Sequence, residues 1–142
     1  KGLPRVLGVQ AEGAAPLVLG YPVEKPETIA TAICIGKPAR EEQALEAAHE
    51  SHGKIIAVSD AQILDAQRIL ASEGVWVEPA SAAGLAGLFA ETAIGTFDAK
   101  GKRVVIVCTG HGMKDPSVIT DSFKAPQVIP AKYEVLIDLV GS

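Results

Sequence analysis

The segment Thr109-Gly110-His111-Gly112-Met113-Lys114-Asp115 gathers a hydroxyl, an imidazole, an amine and a carboxylate around two glycines. Thr109 can donate or accept a hydrogen bond against a heterocyclic nitrogen or a phosphate oxygen, and His111 can exchange a proton near neutral pH. The segment follows the unbroken apolar run 104–108, opened by Lys102 and Arg103. Four consecutive β-branched residues predict a parallel strand covered on both faces. Thr109 then sits at the carboxyl end of that strand, the end that faces the ligand crevice in open α/β sheets. Glycines at 110 and 112 let the backbone turn sharply or approach a ligand. A plainer reading of the same residues is a strand ending in a glycine turn. Thr109 then bonds its own backbone, His111 is surface material, and Lys114 and Asp115 are solvated.

Glu78 stands between the apolar triplet Val75-Trp76-Val77 and Pro79. That places a carboxylate at a helix N-terminus, where the dipole favours its charge, and helix capping is the simpler account of it. Gly84 and Gly87 interrupt an otherwise helical stretch at a cost of about 1 kcal/mol each relative to alanine, which marks tight packing. Neither a Gly-x-Gly-x-x-Gly nor a Gly-Lys-Ser/Thr sequence occurs, so a mononucleotide site is disfavoured.

Several elements must position these residues. A short strand is expected over 5–10, a turn over 11–16 into a brief helix or loop, and an exposed connection over 20–26. The apolar stretch 28–35 is too short for its pattern to separate helix from strand. A helix is expected over 39–51 with Gly53 as its C-terminal cap, followed by a strand over 54–58. Ser59 and Asp60 can then cap a helix whose Ile63, Leu64, Ala66, Gln67, Ile69 and Leu70 keep the helical period to Gly74. A small-residue helix follows Pro79 and runs to about Thr92. After the strand and loop, Tyr133, Val135, Ile137 and Leu139 alternate and predict a terminal strand within 128–140. Strands alternating with helices over short connections indicate a parallel α/β layer arrangement.

At 142 residues, 48% hydrophobic and with a net charge of −4, the chain is expected to be globular and soluble. Its scattered Lys and Arg give no surface for nucleic acid or an anionic membrane, and no apolar segment is long enough to span a bilayer. Cys34 and Cys108 suggest neither a disulfide framework nor a metal set with the histidines, which fits a reducing, cytoplasmic setting. A start at Lys1, with Met113 the sole methionine, implies a processed product or a piece of a longer protein.

Four segments read together, 8–13, 26–33, 77–83 and 109–115, resemble the carboxyl-terminal part of the threonine synthase family. The most specific pieces are Thr28-Ile29-Ala30-Thr31-Ala32-Ile33 and Thr109-Gly110-His111-Gly112, which separate it from the related dehydratases. The resemblance implies a fold type II pyridoxal phosphate enzyme, of which 1–116 is part of the large three-layer α/β cofactor domain and 117–142 a tail. It implies conversion of O-phosphohomoserine and water to threonine and phosphate by β,γ-elimination and replacement. Thr109 falls on the threonine whose hydroxyl bonds the cofactor's pyridine nitrogen. The segments 30–33 and 78–81 line the cofactor's surroundings, with Ala32, Glu78 and Gly110 as weaker binding candidates.

The family's Schiff-base lysine and phosphate-cradling glycine loop lie amino-terminal to the matched part, and none of the lysines here sits in that motif. A carboxyl-terminal fragment is therefore expected, inactive alone, with the missing amino-terminal part and a second copy in a homodimer as partners. Cys34 and Lys37 stand where the family tends to carry Arg and Asn, and Met113 where leucine is usual. The alternatives are a serine or threonine dehydratase of the same fold, or a binding module without catalysis.

Overall fold

The structure is a computed structural model that describes residues 2–116, 120 and 127–141. Strands β1 (Leu7–Ala11) and β2 (Lys54–Val58) pair in parallel, with Leu7 opposite Lys54 and Ala11 opposite Val58. A parallel pair needs a crossover, and here it contains α1 (Pro16–Leu19), a 3-10 turn at Thr31–Ile33 and α2 (Glu41–Glu50). The stretch 28–35, ambiguous in sequence, is therefore neither strand nor α-helix. The fold is α/β with helices on a parallel sheet.

The end of α2 corrects one expectation. Gly53 is not the left-handed residue: His52 takes that place with φ 53°, and Gly53 N–H donates to Ala48 O at 2.8 Å. Together with the bond from His52 N–H to His49 O, this closes a Schellman motif. Gly53 is needed for a different reason, since a Cβ there would lie 1.8 Å from Val6 O at the entry to β1.

Ser59 caps α3 (Asp60–Ser72) in a capping box with Gln62, as the sequence suggests. Asp60 does something else. Its carboxylate receives the Thr28 hydroxyl at 2.5 Å and the Ile29 N–H at 3.1 Å, which ties the 28–30 segment to the start of α3. Helix α4 (Pro79–Ala93) packs against α3 and against both strands. Its glycines make that approach possible, because a Cβ on Gly87 would stand 2.5 Å from Val9 Cγ2 and one on Gly84 3.0 Å from Ile106 Cγ2. Ala11, Val58, Ile63, Ala66, Ala82 and Ala86 form the centre of the core.

Two expected strands are not present. Residues 104–108 join no ladder, and only Ile106 packs onto the core, while Val105 and Val107 are 80% and 75% exposed. The continuous apolar composition of a strand is there, but no neighbouring strand among the described residues supplies its hydrogen bonds. The predicted terminal strand is instead a helix, Tyr133–Val140. Glu134 and Asp138 are four residues apart and share one helical face, a period that the alternating apolar residues mask. No helix among the described residues is long and apolar enough to cross a membrane.

Glu91, near the end of α4 and 5% exposed, receives Lys54 Nζ from β2 and the Thr96 hydroxyl. The Lys54 hydrogen bond, assisted by Thr96 and opposed by burial, holds its carboxyl below the usual 4.5. A depressed folded value contributes stability that is complete above the unfolded value and lost as pH falls through the folded one. Glu91→Gln is expected to cost about 1–3 kcal/mol near neutral pH. In urea denaturation the gap to the parent should narrow as the pH drops below 4.5.

Candidate functional site

The start of α4 and the loop after 104–108 are joined backbone to backbone. Val77 and His111 form an antiparallel bridge, Glu78 N–H donates to Gly110 O at 3.0 Å, and Gly112 N–H donates to Trp76 O at 3.2 Å. Pro79 at the first helical position fixes φ where its missing N–H is not needed, so the helix begins directly behind this junction. Ser81, in the first turn and 3% exposed, reaches back across it. Its Oγ accepts Gly110 N–H at 2.8 Å and Thr109 N–H at 3.1 Å, and lies 3.2 Å from Thr109 Oγ1.

Glu78 does not cap α4 with its side chain, contrary to the simpler expectation. Its carbonyl receives Ser81 N–H at 3.1 Å, and its carboxylate turns to the loop, where it is buried against Gly110. A Cβ on Gly110 would stand 2.1 Å from Glu78 Oε1, so the glycine is required by this close approach. Lys114, expected in water, brings Nζ to 3.3 Å from Glu78 Oε2 and neutralises that carboxylate. Asp115 likewise is engaged: it accepts the Thr31 hydroxyl at 2.7 Å. This bond ties the 3-10 turn that carries Ala32 to the end of the loop.

The structure thus brings together Thr109, Gly110 and Glu78, with Ala32 tied in through its neighbour Thr31. His111 is exposed and its Nδ1 accepts Met113 N–H at 3.2 Å, capping the turn Gly112–Lys114. Cys34 Sγ donates to Pro26 O at 3.3 Å, and Cys108 is exposed. Ser81 entered the sequence reading only as the end of a lining segment. The available signal was a hydroxyl two residues after a helix-starting proline, in a turn otherwise made of alanine.

Residues 1–110 match a family model described as "Pyridoxal-phosphate dependent enzyme". The chain belongs to this family. It is 47% identical to threonine synthase of Mycobacterium leprae over 140 residues, covering 98% of this chain and 39% of that protein. To threonine synthase of Bacillus sp. strain ULM1 it is 52% identical over 120 residues, 84% of this chain and 34% of that one. The chain therefore spans 39% or less of the length of these relatives. Among solved structures it is similar to a threonine deaminase from T.th., with a TM-score of 0.51 and 30% identity, covering 63% of this chain and 31% of that chain.

One hydroxyl of the donor set suits a heterocyclic nitrogen. Thr109 is exposed at the rim, and its hydroxyl has no partner but Ser81 among the described residues. Gly110, by contrast, spends both of its backbone groups on Ser81 and Glu78 and so serves to place the loop.

Removing the cation from the buried Glu78 carboxylate tests this geometry. Lys114→Met is expected to cost about 1–2 kcal/mol, and the double change with Glu78→Gln should recover most of it in urea denaturation. Gly110→Ala, which drives a methyl into the same carboxylate, should cost about 1–3 kcal/mol.

Proposed function

We propose that the complete protein is a threonine synthase, converting O-phosphohomoserine and water to L-threonine and phosphate, and that these residues form the carboxyl-terminal part of its cofactor domain. The observation that carries the reading is the Thr109 hydroxyl, anchored through Ser81 at the exposed rim of a loop in a pyridoxal-phosphate dependent fold. Similarity to threonine synthases along nearly the whole chain selects this reaction from those of the family.

Bound pyridoxal phosphate supplies the electron sink for β,γ-elimination and replacement. Thr109 would hold the ring nitrogen with a neutral hydroxyl, which does not stabilise a protonated ring as a carboxylate does. Glu78 and Gly110 set the height of that hydroxyl, because the loop rests on the carboxylate with no side chain between. Lys114 pairs with the carboxylate, so the loop that would meet the cofactor carries no unbalanced negative charge from Glu78. The turn carrying Ala32 borders the same loop through Thr31 and Asp115.

The lysine that binds the cofactor covalently and the loop that holds its phosphate belong to the amino-terminal part of the protein. The exposure of Val105 and Val107 beside the core-packed Ile106 supports a strand at 104–108 that this part completes. A cytoplasmic homodimer fits the same reading. A dehydratase is the second reading, favoured by the fold likeness to threonine deaminase.

The complete protein with pyridoxal phosphate is expected to release phosphate and threonine from O-phosphohomoserine in equal amounts. Thr109→Val should lower kcat/KM about tenfold or more. Release of ammonia and a 2-oxo acid from threonine, without phosphate release from O-phosphohomoserine, would replace the synthase with the dehydratase.

A further inference from the structure

We propose that Ser81 is a positioning residue that commits its only proton to Thr109 and thereby aims the Thr109 hydroxyl outward as a donor to an unprotonated heteroaromatic ring nitrogen. The proposal rests on the reading that Thr109 faces the cofactor ring. A serine hydroxyl has one proton and two lone pairs. Both lone pairs of Ser81 Oγ are occupied, by Gly110 N–H at 2.8 Å and by Thr109 N–H at 3.1 Å. The remaining contact, 3.2 Å to Thr109 Oγ1, is therefore the one in which Ser81 donates. Thr109 accepts there and keeps its own proton for a group outside the described residues.

The direction of this chain of hydrogen bonds is fixed by backbone groups that cannot titrate. Two N–H groups feed Ser81, Ser81 feeds Thr109, and each donor is polarised by the bond it accepts. Ser81 itself is immobilised, being 3% exposed in the first turn of a helix started by Pro79 and seated on the sheet through Gly87. A directed donor complements a bare ring nitrogen and mismatches a protonated one, whose N–H would need an acceptor.

The test uses the complete protein loaded with pyridoxal phosphate labelled with nitrogen-15 in the ring, and reads the ring-nitrogen NMR signal against pH. The parent signal is expected to stay at the unprotonated position across the accessible range. In Ser81→Ala the signal should move toward the protonated position as pH falls, and cofactor binding should weaken about tenfold. Ser81→Thr keeps the same proton and lone pairs and should restore the parent signal, which a merely space-filling role for Ser81 would not require. If Ser81→Ala does not fold, Ser81→Cys, a weaker donor and acceptor, is expected to displace the signal in the same direction. An unchanged signal in Ser81→Ala and Ser81→Cys, with a displaced signal in Thr109→Val, overturns the proposal and leaves the Thr109 reading standing. An unchanged signal in Thr109→Val as well overturns the reading on which the proposal rests.

Discussion

The N–H groups of Thr109 and Gly110 leave an extended segment with no strand beside it among the described residues, and one buried hydroxyl, Ser81 Oγ, receives both. Ser81 is the buried partner, and leaving its hydroxyl unmatched costs about as much as a lost hydrogen bond, so this contact holds the loop against α4. The bond from Glu78 N–H to Gly110 O, the bridge between Val77 and His111 and the pairing of Lys114 with Glu78 all extend the same junction. The loop is thus attached to the first turn of α4 and takes its geometry from that helix.

Helix α4 has the surface such a support needs. It is lined with small residues, and Gly87 brings its backbone against Val9 while Ala82, Ala83 and Ala86 are buried. Its amino end holds the loop through Ser81. Its other end is tied to β2 by the ion pair of Glu91 with Lys54. Motion of the loop relative to the sheet therefore requires motion of a helix fixed at both ends, which places the Thr109 hydroxyl on a rigid support.

The likeness to a threonine deaminase and the identity with threonine synthases point to one scaffold that serves more than one reaction on amino acids. A shared fold does not choose between them, and the choice lies in the groups around the cofactor. At the junction of α4 and the loop this chain places a neutral hydroxyl at Thr109 and a carboxylate at Glu78 paired with Lys114.

Much of the scaffold was legible in the sequence because its signals are local. The capping box at Ser59 and Gln62, the β-branched run of β2 and the small-residue pattern of α4 each depend on neighbours within one or two helical turns. The candidate loop was legible for the same reason, as a hydroxyl after an apolar run with glycines to turn it. What failed depended on distant partners. The run 104–108 has the composition of a strand but no strand to pair with among the described residues, and Tyr133–Val140 alternates like a strand yet closes its hydrogen bonds within a helix. His52 rather than Gly53 takes the left-handed cap, and Gly53 is required instead because Val6 O, far away in sequence, occupies the space beside it. The sequence by itself determined the paired strands, the helices α2 to α4 and the loop's chemical groups. Only the tertiary structure decided that Ser81 receives the N–H groups of Thr109 and Gly110 and that Glu78 turns from the helix to Lys114, because hydrogen bonds and charge pairing are set by which groups meet in space.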